Sequence, residues 1–489
     1  MTIRSVLHKP YTLALAFTVL CMTNVVVRYP GMSNPDSILQ QQQIASGSFD
    51  DWHPPAMTRL WQFLLNFGEG SAPIYLWNLV LYWLAFALTS LTLWKLGFRG
   101  AAWICVAIAA LPLFWMLNVN IATDITFAAA MLFGFSLIFY NFALEKHNAW
   151  LVVIGLCFLV FGSLVRHNAL LAVGPLVALT MANKIGRKPL WLLGFSVALA
   201  LFLFPVNKLI NQHVLGARDA HAIQSLQVFD IAGIAKESGD LSVLGPAAAV
   251  TQPMLEYCYS PVMWDTFAHW GQCPWFRRVA MGDGWTDTSS EATLLQAKWR
   301  QAILGHPLSY LTHRLKFFNS TLYFIVPEDH TREIRETPGY ESADKRGFTG
   351  NVRNFLRYSV LFSPATTLFL SLGLSAILIL GRKNIARLGV VALCLVFSAS
   401  LYTGGYFLVG VAADQRYFFY PTLVTYIALI IAYCDGVFSF ALRRQKGLLI
   451  GVGAMIAVTL AVQLVARTYL ATPATIKKTD PSNGRVEID

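Results

Sequence analysis

The sequence predicts an all-α integral membrane protein of about 11 transmembrane helices, with juxtamembrane helices in the first external loop and a large external loop forming a small cap. Three observations carry that prediction. Hydrophobic residues make up 56% of the 489 and charged residues only 13%, more apolar surface than a soluble fold can cover. The apolar residues lie in long unbroken runs, which exclude a barrel. The basic residues that give the net charge of +11 are scattered in short clusters between those runs. A nucleic-acid partner would call for a basic face or tail, whereas clusters of this kind set topology.

In chain order, spans are expected at about 11–27, 76–96, 101–117, 124–143, 149–165, 169–183, 190–208, 357–380, 387–409, 417–436 and 447–466. Arg4 and Lys9, Lys95 and Arg99, Lys146, Lys184 with Arg187 and Lys188, Arg382 with Lys383 and Arg387, and Arg443 with Arg444 and Lys446 mark alternate loops as cytoplasmic. The N-terminus is then inside, and the first segment, without a small-residue cleavage site, is expected to remain as a span. The fifth and sixth spans are short and joined tightly through Arg166, His167 and Asn168, so either can be tilted or incomplete. An even count would move the C-terminal tail from outside to inside.

These spans divide the chain. Residues 1–208 form an N-terminal transmembrane module whose first external loop covers 28–75, and residues 209–356 form the cap. Residues 357–466 supply the C-terminal helices, and 467–489 an external tail whose polar, Pro-containing sequence is expected to tolerate truncation. The cap segment is rich in Gly, Pro, Trp and charge and has no continuous apolar run, so it is expected to cover something. Neither loop contains an internal repeat, a low-complexity tract or a nucleotide-binding Gly-rich loop.

Five of the seven cysteines, Cys21, Cys105, Cys157, Cys394 and Cys434, fall in predicted spans or at their ends, where a thiol is a small apolar group. Cys258 and Cys273 stand alone in the large loop, where a periplasm or lumen would oxidise them. A disulfide is expected there; the alternative is two unpaired loop thiols.

The first external loop holds the stretch NPDSILQQQQIASGSFDDWHPPAMTRLW, residues 34–61. Asp36 to Gly47 reads as a short amphipathic helix, with Asp36 near its N-cap and Gln40 and Gln43 on the same face. Pro54 or Pro55 then starts a second helix with an apolar stripe of Met57, Leu60, Trp61, Leu64 and Leu65, expected to lie along the membrane surface. Together they would hold carboxylates at the mouth of the bundle, reached sideways by a lipid headgroup and from water by a polar acceptor. The plainer reading makes Asp36 only an N-cap and Asp50, Asp51 and His53 a solvated turn. The density of Asp, Gln, Trp and His favours function for Asp36 and Asp51, but not for Asp50.

An Asp shortly after the first span, paired juxtamembrane helices, many spans and a large external loop resemble the GT-C superfamily of membrane glycosyltransferases. That superfamily includes the protein mannosyltransferases and the aminoarabinose transferase of lipid A. The local pattern YPG, PDS, QQQQ, Gly and DWHPP, over residues 29–61, is similar to a bacterial branch. The resemblance implies that Asp36 is a catalytic base or acceptor-positioning group, with Asp51 its competitor. DWHPP departs from the acidic-pair and Lys-Pro-Pro patterns of better-known relatives, and His53 joins the catalytic candidates. The resemblance also points to Arg416 and Tyr417 as contacts of a lipid phosphate, and to an acidic residue in the loop of Asp124.

Topology narrows the donor separately. Nucleotide sugars and ATP are cytosolic, so an external site must use a precursor already carried across, and a polyprenyl-phosphate sugar fits. Its phosphate leaves without a general acid, while the acceptor hydroxyl needs a base as it attacks the anomeric carbon. Departure of the phosphate calls for fixed positive charge. Arg166, with His167 beside it, and Arg416, two residues after Asp414, are the candidates; Arg28 reads as a snorkelling residue. Asp124 opens the fourth span, either as a helix cap or as a second acidic group.

His213, His221, His269, His306, His313 and His330 lack metal-ligand spacing and read as surface or structural. A divalent metal bridging Asp36 and Asp124 is compatible with the sequence but not indicated, and no cofactor is expected. Residues 303–324 either lie on the membrane beside the lipid chain or pack inside the cap, and acceptor selectivity is expected in this loop.

The expectation is an inverting glycosyltransferase of the bacterial inner membrane, monomeric, with its active site facing the periplasm. Its partners would be membrane lipids, the polyprenyl-phosphate donor and a glycan, lipid or protein acceptor. A flippase or transporter of lipid-linked sugar is the first alternative, but transporters place ionisable or broken segments at the midplane, often in two related halves. An O-antigen ligase or polymerase is the next, with its catalytic residues expected in a late loop. A scaffold without activity would need no carboxylate cluster.

Overall fold

The computed structural model describes residues 9–182, 188–245, 250–276, 289–326, 359–380 and 386–470. Of the topological residues, Arg4, Lys184, Arg187, Arg382 and Lys383 lie outside the described residues, as do His330, positions 327–358 and the tail from 471 onward.

The chain is predominantly helical. The first half gives α1 (Pro10–Arg28), α2 (Pro35–Ser46), α3 (Pro55–Leu64), α4 (Ala72–Lys95), α5 (Arg99–Ala109), α6 (Pro112–Leu117), α7 (Thr123–Ala143), α8 (Ala149–Val165), α9 (Leu170–Met181) and α10 (Pro189–Leu209). The segment that follows holds α11 (Ile223–Ser238), α12 (Gln252–Cys258), α13 (Ser289–Gly305) and α14 (Pro307–Leu322). Then come α15 (Pro364–Leu380), α16 (Arg387–Val409), α17 (Phe419–Cys434), α18 (Val437–Arg444) and α19 (Lys446–Tyr469). Proline opens many of them because its fixed φ suits the first turn, where its missing N–H has no intrahelical partner to lose.

Among the described residues, 7 helices are long and apolar enough to cross a membrane: Pro10–Arg28, Ala72–Lys95, Thr123–Ala143, Pro189–Val214, Arg387–Val409, Gln415–Cys434 and Lys446–Tyr469. This is the makeup of a multi-pass membrane protein. The other predicted spans appear as apolar helices of 10–17 residues, Arg99–Ala109, Ala149–Val165, His167–Met181 and Pro364–Leu380. The third shows why. The apolar run 101–117 is not one helix but α5 and α6, broken at Ala110 and Leu111. Pro112 cannot donate to the i−4 carbonyl and its ring clashes there, so the helix stops and restarts.

The bundle is centred on α4, α7, α16 and α17, while α1, α10 and α19 turn most of their apolar side chains outward. A helix apolar on every side belongs in a core or against lipid. Where α7 crosses α8, Gly134 faces Gly155; a Cβ on Gly134 would lie 2.7 Å from the Gly155 carbonyl oxygen, so only glycine permits that approach. Buried hydroxyls link the helices further: Ser398 Oγ donates to the Ala172 carbonyl at 2.6 Å, and Ser371 Oγ lies 2.8 Å from Thr425 Oγ1.

Two readings of the first loop change. The N-cap of α2 is Asn34, not Asp36: Asn34 Oδ1 accepts the Ser37 N–H at 2.9 Å and Ser37 Oγ accepts the Asn34 N–H at 2.7 Å. Gly47 closes the helix at φ 69°. The second helix, α3, does not simply lie on a surface. Met57 and Trp61 are fully buried in the bundle core, and Arg59 Nε donates to the Leu215 carbonyl at 2.9 Å.

The segment after α10 is joined to this loop by a short parallel pair, β1 (Phe49–Asp50) with β2 (Ala217–Arg218). It has its own apolar cluster around α11, where Phe229, Leu255, Trp264, Phe267 and Phe317 meet. Cys258 and Cys273 form a disulfide, with Cα atoms 5.7 Å apart. α14, within residues 303–324, packs His313, Arg314 and Phe317 inside the loop segment, while Leu308, Leu311 and Leu315 form an exposed stripe on the opposite side.

Candidate functional site

Four chain segments far apart in sequence converge on one group of charges. Asp36 enters from the first turn of α2, Asp124 from the first turn of α7, Arg166 from the residue after α8, and Arg416 from the short 3-10 turn Gln415–Phe418 before α17. Since Asn34 and Ser37 satisfy the helix end, the Asp36 carboxylate is left for other partners. Arg416 Nη2 donates to Asp36 Oδ2 at 2.8 Å. His53 Nε2 stands 3.6 Å from the other oxygen, Oδ1.

Asp414 sets Arg416 in place twice over. Its Oδ1 accepts the Arg416 backbone N–H at 2.9 Å, and its Oδ2 lies 3.2 Å from Nε. The same Nε is 3.6 Å from Asp124 Oδ2. The guanidinium therefore occupies the bridging position between Asp36 and Asp124 that the sequence left open to a divalent metal. Among the described residues, no group of three or more His, Cys, Asp or Glu is placed to hold a metal ion.

Arg166 forms the second cationic arm. It pairs with Asp124, its Nη2 donates to the Tyr406 hydroxyl at 2.7 Å, and its guanidinium sits 4.5 Å from the Tyr417 ring centroid. Tyr406 stacks on Tyr417 with centroids 6.0 Å apart. The two arms differ in access. Asp124 is 3% exposed, whereas Asp36 is 32% exposed, so the Asp36–Arg416 pair is the one a ligand can reach.

The electrostatics follow from that geometry. Burial alone pushes the Asp36 carboxyl up, but the Arg416 guanidinium and His53 outweigh it and hold the group well below the usual carboxylate range. Asp36 is ionised and strongly paired. A ligand phosphate entering here has to compete with carboxylates for each guanidinium.

The other candidates stand at the flank. The Asp51 Oδ1 accepts the Ala220 N–H at 2.6 Å, and the Asp51 N–H donates to the Arg218 carbonyl at 3.0 Å. Burial pushes the Asp51 carboxyl above its ordinary pKa, with that backbone bond opposing. His167 Nε2 lies 3.0 Å from the Asp51 carbonyl oxygen, which ties the Arg166 turn to the same joint. Asp51 and His167 thus fasten the loops around the site. Gln40 and Gln43 follow Asp36 along α2, both buried, with no hydrogen-bond partner for their amide atoms among the described residues.

The structure also brings in residues that sequence reasoning missed. Tyr406 lies inside the apolar span of α16, with Tyr402 one turn earlier as its only outward sign. Asp265, in the turn Trp264–Phe267, lies within electrostatic reach of Asp36 and Arg416 and is hydrogen-bonded by Trp270. Its position comes from backbone pairing: the Trp264 N–H donates to the Val411 carbonyl at 2.8 Å and the Ala413 N–H to the Val262 carbonyl at 2.9 Å. Those bonds set the loop directly beside the residues leading to Asp414 and Arg416.

No protein-family model matches the chain, and no curated protein matches it.

Proposed function

We propose that the chain is an inverting glycosyltransferase of the GT-C kind, which moves a sugar from a polyprenyl-phosphate donor to a glycan, lipid or protein acceptor. In this reading the bundle has eleven spans in a bacterial inner membrane, and residues 209–356 cap an active site facing the periplasm. The observation that carries it is the direct pairing of Asp36 with Arg416, residues 380 positions apart. A base candidate and a phosphate-binding candidate share one reachable site. The exposed stripe of Leu308, Leu311 and Leu315 supports an apolar flank for a lipid-borne substrate.

The chemistry then follows from the competition at Arg416. The donor phosphate draws the Arg416 guanidinium toward itself, with Arg166 behind it as a second cation. Asp36 loses its main cationic partner, and its affinity for a proton rises. As the acceptor oxygen bonds to the anomeric carbon, its proton passes to Asp36. The C–O bond to phosphate breaks, with the electron pair leaving on the polyprenyl phosphate. One displacement inverts the configuration. Donor binding thus activates the base, and Asp36 remains quiet while the site is empty.

The test is a turnover assay of the purified chain with defined polyprenyl-phosphate sugars, comparing the native protein with Asp36→Asn and Asp51→Asn. Asp36→Asn is expected to slow transfer by about 10²- to 10⁴-fold while still binding donor. Full activity in that variant would remove Asp36 from the mechanism. Movement of the lipid-linked sugar across vesicles without a new glycosidic bond would replace the transferase with a flippase.

A further inference from the structure

Two indole rings and a carboxyl group of the large loop meet a third indole, Trp52 of the first loop, near Asp36. Trp52, one residue before His53, lies 5.4 Å from Trp264 and 6.3 Å from Trp270 between ring centroids, and Trp264 lies 6.0 Å from Trp270. Trp270 meets the other two at 84° and 83°, so the rings form a corner, not a stack. Trp264 is buried and anchors the corner, while Trp270 is 38% exposed. Asp265 accepts a hydrogen bond from the Trp270 side chain and lies within electrostatic reach of Asp36 and Arg416.

We propose that Asp265 with Trp52, Trp264 and Trp270 forms a carbohydrate subsite that seats a pyranose acceptor beside Asp36. The inference deepens the transferase reading and rests on it for the acceptor role. Its basis is chemical. A pyranose has apolar C–H faces and a rim of hydroxyls, and it is recognised by an aromatic surface next to a hydrogen-bond acceptor. An acyl chain would be opposed by a carboxyl group among the rings.

The subsite is built rigidly, as recognition of a small rigid ring requires. The Cys258–Cys273 disulfide closes the loop that carries Trp264, Asp265 and Trp270, spanning 15 positions. Inside it, the Cys273 N–H donates to the Thr266 carbonyl at 2.8 Å and the Gly271 N–H to the Ala268 carbonyl at 2.9 Å. Burial, and next the charge of Asp36, pushes the Asp265 carboxyl up to about 6, consistent with a group shielded from water and facing another acid.

The experiment uses the full chain in detergent without donor, titrated with cellotriose, maltotriose and chitotriose. Binding is read by saturation-transfer NMR and by quenching of tryptophan fluorescence. At least one trisaccharide is expected to bind through its ring C–H protons. Trp270→Ala and Asp265→Asn should each weaken that binding by about tenfold or more, and Trp270→Phe, which keeps an aromatic face and guards against misfolding, by no more than about threefold. Binding of none of the three, equal affinity in all variants, or Trp270-dependent binding of a Ser/Thr-rich peptide in their place overturns the proposal. Saccharide binding at Trp270 without any transfer would retain this subsite and reject the transferase. Transfer to a saccharide untouched by Trp270→Ala and Asp265→Asn would do the reverse.

Discussion

Arg416 donates through Nη2 to Oδ2 of Asp36 across 2.8 Å, joining the first loop to the approach of α17. If this pair is a gate that donor phosphate opens, charge alone at position 416 is not enough. Lysine keeps the charge but cannot hold Asp36 and face Asp124 and Asp414 at once, because it lacks the planar fork. Arg416→Lys is expected to raise the donor KM by about tenfold and to lower kcat by about 10². Steady-state kinetics against donor concentration check both.

The same pair sets an acid limit. A carboxylate whose folded pKa is depressed adds stability above its unfolded value and loses it as pH falls through the folded value. In Arg416→Gln the Asp36 carboxyl loses its largest ionising influence. Thermal melts between pH 3 and 7 should show the variant less stable than the native chain at pH 7, with the gap narrowing as pH falls and the native pair is protonated. Superimposable acid limbs would show that the pair contributes nothing to folding.

Asp51 gives a contrasting outcome. Its carboxylate oxygen accepts a backbone N–H from Ala220, 169 positions away, and an Asn amide oxygen can accept the same bond. Asp51→Asn should therefore retain turnover within about threefold, whereas Asp51→Ala removes that acceptor from the joint between the loops and costs on the order of 1–3 kcal/mol. Denaturant unfolding of the two variants beside their kcat values separates a fastener from a base.

How far the site was legible in the sequence depends on what each residue needs around it. Asp36, Asp124, Arg166 and Arg416 could be picked out because each is an ionisable group at the edge of an apolar run, where burial is costly and a partner is required. Asp51 looked equivalent by composition, but its partner is a backbone group, and no side-chain pattern reveals that. Asp265 acquires its setting only once the disulfide loop folds and residues 262–264 pair with 411–413. The break at Pro112 was hidden for a different reason. Hydropathy measures transfer to hydrocarbon and does not register a missing N–H.

Asp265 predicts a pH slope of opposite sign. Its folded carboxyl is raised to about 6, above its unfolded value, so the folded state binds the extra proton between about pH 4 and 6. Stability falls as pH rises through that window, and the deficit is complete above it. The groups facing it are Asp36 and Arg416, with His53 on Asp36 and His269 on Trp270. Asp265→Asn removes the titration and should be more stable than the native chain at pH 7–8, on the order of 2 kcal/mol, with the difference vanishing near pH 4. Calorimetry at both pH values measures it.

The disulfide offers a check on orientation. Thiols facing the cytosol stay reduced, whereas a pair facing the periplasm is oxidised. Alkylation of intact bacteria expressing the chain, before and after reduction, should add label at Cys258 and Cys273 only after reduction. Serine at both positions is expected to lower stability by about 2–4 kcal/mol. Free thiols at both positions before reduction would contradict the periplasmic placement.

In the same segment, the buried Asp230 organises a polar network. His313 Nε2 lies 3.2 Å from Asp230 Oδ1, Trp299 Nε1 donates to Oδ2 at 2.8 Å, and Arg314 pairs with the same carboxylate. Tyr259, next to Cys258, reaches His313 Nδ1 at 2.8 Å, and Arg314 Nη1 donates to the Gly410 carbonyl at 2.7 Å. The network thus fixes α11 and α14 to the backbone just ahead of the strand-like contact that sets Arg416. Asp230→Ala would leave the Arg314 charge buried without its carboxylate, which costs about 3–5 kcal/mol. Replacing the pair together, as Asp230→Leu with Arg314→Met, removes both charges and should recover part of that loss, the remainder being the acceptor that Trp299 Nε1 and His313 Nε2 lose. Recovery of stability without recovery of turnover is the expected result, because the apolar pair no longer grips Gly410, and Arg416 loses the support that aims it at Asp36.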